Sequence, residues 1–424
     1  MRIAIASSGL GHVARGIETW ARDSAEVLSA RVVEKAGVPR SDSLNVTLFC
    51  GAPLAVAPRC RVEVLPVWKR TGTLARTLAR ISPGFTWRWC LKNPYGWEQW
   101  SFWQRLGPRL RDGRYDILHV QDPMLAYWCR RCREAGQLET REILAHGTEE
   151  SAVFLSGFPF VQHLAPWHAE AIRATLPPGA DTHWTTMPNF IDTTVFRPAA
   201  DETEKRECRK TLGIPADAFV VGSVAAVKQH HKRVDYLIRE FHRLVQSPAQ
   251  GTAPARAFPG KPFLLVAGSR TPQTDEVLAL AERLIPGQFR ILTDWPRERM
   301  PELYRAMDVF ALASLFEMMP IAVLEAIASG VPVLANRHAV LQWMIGIDRP
   351  DEQTGGGLCL DMRTERQLAE TLMTLTPAWI AQHGRHARAQ AERVFAKDVV
   401  IAQYLAYYDK VRVASAPARG VFTA

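Results

Sequence analysis

Short apolar, β-branched runs alternate with longer amphipathic stretches along this 424-residue chain, and the alternation occurs twice. A parallel sheet covered by helices is the architecture that absorbs such a pattern, because strands buried on both faces read as apolar runs and each crossover needs a helix. Residues 2–7, 45–50, 116–121, 142–146 and 160–165 read as strands of a first set. Residues 16–30 read as its first helix, since Ile17, Trp20, Ala21, Ser24, Val27 and Leu28 recur at helical spacing. A second set follows Pro198, with strands expected at 220–224, 263–267, 289–292, 309–313 and 331–335. The connection Met187-Pro188-Asn189-Phe190-Ile191-Asp192 with Phe196-Arg197-Pro198 suits a domain boundary. Residues 247–262, rich in Gly, Pro and Ala, read as a surface loop, and 379–413 as helical. The expectation is an α/β chain of two doubly wound Rossmann-like domains facing each other across a cleft, the place where such sheets bind ligands. The domains are set at 1–195 and 199–394, with a helix at about 395–413 packing back on the first and a loose tail at 414–424.

The charge balance is local. Lys and Arg number 52 against 43 Asp and Glu, a formal +9, which offers nucleic acid, an anionic membrane or a phosphorylated substrate as partners. Between Trp68 and Arg114, ten basic residues meet only Glu98 and Asp112, so that stretch alone carries +8. The opening apolar run is too short for a signal peptide, and no stretch reaches the roughly 20 apolar residues of a membrane span. A cytoplasmic protein is expected. Seven cysteines at irregular spacing argue against a disulfide framework, and Cys129 with Cys132 reads as a pair of ordinary helix cysteines.

The most specific segment is Ser314-Leu315-Phe316-Glu317-Met318-Met319-Pro320-Ile321-Ala322-Val323-Leu324-Glu325-Ala326-Ile327-Ala328-Ser329-Gly330. A strand ends in a short loop bearing Glu317, and the next helix bears Glu325 about two turns later, so both carboxylates can border one cleft at different depths. For an isolated pair, a helix-start acid at Glu317 and a solvated face residue at Glu325 is the more ordinary reading. The segment resembles the Glu-x7-Glu signature of the group 1 family of retaining GT-B glycosyltransferases. That resemblance implies that Glu317 faces the transferred sugar and Glu325 binds the nucleotide ribose. Met318-Met319-Pro320 stands where many members have Gly-Phe-Gly, and Pro320 has no amide to donate.

The resemblance spans about residues 1–410. Val221 to Ile238 is similar to the family's strand, loop and helix that clamp the donor diphosphate with an Arg and a Lys. Lys232 matches the lysine, whereas Ala226 occupies the arginine's place. Lys228, His230 or Arg233 can supply the missing charge, or belong to a solvated basic helix start. Gly9-Leu10-Gly11-His12 and Arg15-Gly16 follow the first strand and open a helix, where glycine and a helix start favour phosphate. The family has a Gly-Gly pair there, matched by Gly16 and replaced at Arg15. His146 follows a strand where similar proteins place a cleft histidine near the donor sugar; a buried, hydrogen-bonded loop residue is the other reading. Gln121-Asp122 is a cleft-edge candidate or a helix cap. No Asp-x-Asp occurs, so neither a metal nor another cofactor is expected.

Six of the 13 tryptophans lie in the +8 stretch. In a helix from Trp97 to Leu106, Phe102, Trp103 and Leu106 share one face with Trp100 at its edge, which ordinary packing explains. Rings interleaved with cations also bind sugars, anionic membranes or single-stranded nucleic acid. In proteins of this resemblance the N-terminal domain receives the acceptor, so Trp97, Trp100, Arg88 and Arg105 become candidates for an anionic, lipid-linked or glycan acceptor. Peripheral attachment at the inner face of the cell membrane is a second expectation, and no nucleic-acid motif accompanies the patch. The function expected is transfer of a sugar from a nucleotide diphosphate sugar to a hydroxyl, in glycan, polysaccharide or glycolipid synthesis. The alternatives are a catalytically silent glycan- or membrane-binding relative, or an epimerase or phosphorylase of the same fold.

Overall fold

Seven parallel strands form the sheet of the first unit: β1 (Arg2–Ser7), β2 (Asn45–Cys50), β3 (Arg61–Val64), β4 (Ile117–Val120), β5 (Arg141–His146), β6 (Val161–His163) and β7 (Thr185–Thr186). Six parallel strands form that of the second: β8 (Phe219–Val224), β9 (Pro262–Gly268), β10 (Phe289–Thr293), β11 (Val309–Leu312), β12 (Val333–Asn336) and β13 (Gly357–Leu360). The computed structural model describes residues 1–13, 15–34, 44–56, 58–148, 150–176, 183–246, 257–258, 260–347 and 355–414. The first unit comprises Met1–Asn189 and Val400–Ala424, the second Phe190–Val399.

The spatial orders are β3-β2-β1-β4-β5-β6-β7 and β10-β9-β8-β11-β12-β13, the Rossmann arrangement in both. Each sheet therefore reverses direction beside its first strand, between β1 and β4 and between β8 and β11. Loops leaving the carboxyl ends of those strand pairs splay apart there, which makes room for a ligand. Ile3, Ile5, Leu118 and Val120 in one sheet, and Val221, Val266, Val309 and Leu334 in the other, are buried, as strands covered by helices on both faces require.

Three strands escape the sequence pattern. β3 and β13 are short edge strands with half-exposed residues, and β7 has two residues, so none offers an apolar run. The expected strand at 160–165 shortens to β6. The expected helix at 379–413 is broken: helix Pro377–Gln390 ends in a π turn, Ala391–Phe395, and Ala396 is extended before helix Lys397–Val413. The cause is a backbone bridge, in which Ile191 N–H donates to Phe395 O at 2.8 Å and Lys397 N–H to Ile191 O at 2.9 Å. Those groups leave the helical ladder, and Lys397 Nζ reinforces the bridge with Asp192 at 2.7 Å. The first unit runs to Asn189, and the expected domain limit was residue 195. From Val400 onward the last helix belongs to the first unit: Tyr404 accepts from Trp20 and Gln162, and Tyr408 meets His119 Nδ1 at 2.8 Å. Most of the expected 247–262 loop and the 414–424 tail lies outside the described residues.

Candidate functional site

In the second unit, two loops meet at the switch point. β8 runs into 225–233 and helix Val234–Gln246; β11 runs into 313–320 and helix Ile321–Ala328. The first loop is pinned by its backbone, since Ala225 N–H donates to Ala267 O at 2.9 Å and Val227 N–H to Ser269 O at 3.1 Å. Gly268 is required beside it, because a Cβ there would collide with the Ala225 carbonyl. His231 and Arg233 adopt left-handed backbone, φ 68° and 52°, a costly conformation for residues bearing a Cβ. That turn lets the loops interlock. Leu315 N–H donates to His231 O at 3.0 Å, and His231 Nε2 donates to Phe316 O at 2.8 Å.

Glu317 follows directly and is 8% exposed. Its Oε1 lies 2.5 Å from Lys232 Nζ. The Phe316 ring stands edge-on to His338 at 5.5 Å, and burial lowers the His338 pKa against the opposing field of Glu317. Glu325 accepts from Tyr304 Oη at 2.6 Å; burial and that carboxylate push the tyrosine pKa up, so it stays a donor. Lys228 and His230 make no ion pair with any described residue, and Lys228 is half-buried. Arg233 is committed elsewhere: its guanidinium donates to Met362 O at 2.5 Å and lies 4.3 Å from the Tyr236 ring centre.

At the switch point of the first unit, charge is buried more densely. Glu98, on helix Pro94–Gly113, receives His12 Nε2 at 2.9 Å, Arg70 N–H at 2.7 Å and Arg70 Nη2 at 2.5 Å. Burial alone would raise its pKa; the bonds from His12 and Arg70 outweigh burial and hold it below the usual range. Arg70 also approaches Glu18 at 3.8 Å, and Gly9 is small enough to admit both, since a Cβ there would meet Glu18 and Arg70. Asp122, after β4, accepts from Ser8 Oγ at 2.8 Å and Tyr95 Oη at 2.6 Å; full burial raises its pKa. It stands at the start of helix Pro123–Glu134 without capping it through its side chain. Buried atoms left without a hydrogen bond include His12 Nδ1, Glu18 Oε2, Arg70 Nη1 and Gln121 Nε2.

Residues 218–376, from β8 through the helix after β13, match the family model of Glycosyl transferases group 1. The match covers less than half of the chain, most of its second unit, and makes that unit similar to this family. It is 28% identical over 252 residues to a D-inositol 3-phosphate glycosyltransferase of Corynebacterium efficiens, covering 58% of this chain and 51% of that protein. The enzyme of the same name from Mycobacteroides abscessus is 32% identical over 149 residues, 34% of this chain and 29% of that one. The chain thus spans about half the length, or less, of these curated relatives. The fold is GT-B. Sucrose-phosphate synthase from Thermosynechococcus elongatus superposes with a TM-score of 0.73 at 18% identity, over 98% of this chain and 100% of that one. HepE of Anabaena, solved in complex with UDP and glucose, gives 0.68 at 16% identity, over 96% of this chain and 99% of that one.

The second unit brings Lys232 and Glu317 into contact, with Met318 half-buried and Met319 buried beside them. Glu325 stands two turns on, and Lys228 lies on the facing loop. Arg233 is turned to the protein, its guanidinium spent on the Met362 carbonyl. In the first unit Gly16 opens helix Gly16–Glu34, and Arg15 pairs with Glu18 at 3.0 Å. His146 ends β5, 4% exposed, with Nδ1 3.1 Å from His163 Nδ1 and Nε2 3.6 Å from Glu150. Burial lowers its pKa to about 4, so it is neutral at neutral pH.

Phe102, Trp103 and Leu106 are buried and Trp100 is half-buried at their edge, as packing onto the sheet requires. Trp97 and Trp100 pack against Trp68 with tilted rings, and Trp97 Nε1 donates to Ser82 Oγ at 3.2 Å. Arg105 is exposed and donates to Ser101 O at 2.9 Å, while the Arg88 side chain lies outside the described residues. Of the Glu98, Arg70, Asp122 and Tyr95 cluster, sequence reasoning singled out only Asp122, as a cleft-edge candidate. The cluster's other signal was Glu98 itself, an acid set among ten cations.

Proposed function

We propose that the protein transfers a sugar from a nucleotide diphosphate sugar to a hydroxyl acceptor, with retention at the anomeric carbon and without a metal, in glycan, polysaccharide or glycolipid assembly. The observation that carries this reading is the Lys232–Glu317 pair, 2.5 Å apart, joining the two switch-point loops inside the segment that matches the family. When the bond from the anomeric carbon to phosphate breaks, negative charge grows on the diphosphate. An ammonium already held in place stabilises that charge without reorganising, and Lys228 adds a second cation on the same loop. Glu317, paired with Lys232, accepts hydrogen bonds from sugar hydroxyls, and Glu325 accepts from the ribose. Neutral His146 is a hydrogen-bonding group for a sugar hydroxyl. The departing phosphate takes the acceptor proton on the face of attack, so positioning and charge stabilisation supply the acceleration.

The solved complex of HepE with UDP and glucose makes UDP-sugars the first donors to test. Glu317→Ala and Lys232→Ala should each abolish consumption of labelled donor while circular dichroism stays unchanged; near-normal turnover in either sinks the assignment. A second reading, a catalytically silent relative that binds glycans or membranes, draws on Ala226 and on the commitment of Arg233 to Met362. Calorimetry with UDP- and GDP-sugars separates the two, because the silent protein gives no heat of nucleotide binding.

A further inference from the structure

The exposed Phe and Trp side chains among the described residues all fall in one turn. Phe85, Trp87 and Trp89 are 64%, 66% and 40% exposed, and Ile81 just before them is 70% exposed. Folding alone would spend these positions on polar residues. The turn is nonetheless firmly built. It places Thr86 inside, with Oγ1 donating to Pro83 O at 2.6 Å and the Thr86 carbonyl accepting from Leu91 N–H at 3.2 Å. Cys90 takes left-handed backbone, φ 56°, and Gly96 is needed opposite, because a Cβ there would meet the Cys90 carbonyl. Buried Thr86 and Leu91 thus anchor a loop that holds its aromatics outward, with Phe85 and Trp89 edge-to-face at 6.3 Å.

The surroundings are cationic. Helix Thr73–Ile81 packs through Ala75 and Ala79 and leaves Arg76 and Arg80 exposed, as are Lys69 and Lys92. No acidic residue occurs between Glu63 and Glu98. Aromatic rings that stand out of a rigid turn, ringed by lysine and arginine and free of carboxylates, complement a surface with an apolar interior and anionic headgroups. A second protein chain would have to offer both a greasy patch and an acidic rim; a bilayer offers the two together. We propose that the segment 69–92 is a docking face for anionic lipid bilayers, with Phe85, Trp87 and Trp89 entering the interface and Arg76, Arg80 and Lys92 meeting phosphate headgroups. Both ends of the segment are rooted in the strand-end cluster of the first unit, through Arg70 on Glu98 and Tyr95 on Asp122.

Flotation of the full chain with vesicles tests this. Phosphatidylcholine–phosphatidylglycerol vesicles should carry the protein at low salt, pure phosphatidylcholine should not, and added salt should weaken the binding. Phe85→Ser with Trp87→Ser, and separately Arg76→Gln with Arg80→Gln, should each lower the partition coefficient by roughly tenfold or more. Brominated lipids should quench tryptophan fluorescence less in Trp87→Phe than in the parent. No flotation with anionic vesicles, equal flotation with neutral ones, or parent-like binding by both double variants overturns the proposal. So does a dimer in sedimentation equilibrium that Phe85→Ser with Trp87→Ser dissolves, since the partner is then a second copy. Thermal shift with nucleotide sugars is read in parallel: lost vesicle binding with intact donor binding defeats the docking face alone, and the reverse defeats the transferase reading alone.

Discussion

The two switch points share one topology and differ in charge. In the second unit a single carboxylate, Glu317, meets Lys232, while Lys228 on the same loop pairs with no described residue. In the first, three buried carboxylates, Glu18, Glu98 and Asp122, gather around Arg70, with His12 and Arg15 at the edges. The second unit's arrangement leans cationic and suits a diphosphate. The first unit's is largely self-satisfied and leans anionic, which disfavours phosphate and suits hydroxyl groups that both donate and accept. Strand order supplies a place to bind, and the burial and pairing of charge decide what binds there.

The largest effect tests the cationic side. Lys232→Ala should lower the rate of donor consumption by about a thousandfold or more, the scale of removing a preorganised charge-stabilising group, with folding intact. Glu98→Gln tests the other side. It strips Arg70 and His12 of their carboxylate in the interior, so chemical unfolding should show the first unit weakened by about 3 kcal/mol or more. A loss within experimental error would mean the cluster is solvated and the contrast false.

Acid should separate the units next. Burial lowers His146 to about 4 and His163 and His119 to about 3, from 6.5. A histidine whose folded pKa is depressed disfavours protonation in the folded state, so its stability contribution is complete above about 6.5 and declines as pH falls toward 4. The depressed pKa of Glu98 adds a loss of the same sign at still lower pH. Thermal scans from pH 7 to 4 should show the first unit melting earlier, by a few kcal/mol of lost stability. Unchanged melting across that range would show that these histidines are reached by solvent. The smallest effect is Lys228→Ala, expected to weaken donor binding by roughly three- to tenfold, as one partly exposed cation does; calorimetry reads it.

Much of the fold was legible because parallel strands buried on both faces leave unmistakable apolar runs: β1, β2, β8, β9 and β11 all announce themselves. β3 and β13 did not, because edge strands carry mixed exposure, and the break at Ala396 did not, because its cause, Ile191, lies two hundred residues away in sequence. Lys232 and Glu317 were each readable through family resemblance, since each sits in a local motif, whereas their pairing across the two loops was not. The carboxylate cluster as a whole was not: Ser8, Arg70, Glu98 and Asp122 belong to four separate segments that only the sheet order brings together. Arg233 shows the converse, a cation well placed in sequence whose guanidinium is spent on Met362.

The central claim is that the second unit's loops hold a nucleotide diphosphate sugar through Lys232 and Glu317. Titration calorimetry with UDP- and GDP-sugars on the parent and on Lys232→Ala tests it most directly. The account predicts saturable binding of at least one of them to the parent and its collapse in the variant. Absence of binding to the parent, or equal affinity in the variant, would contradict it.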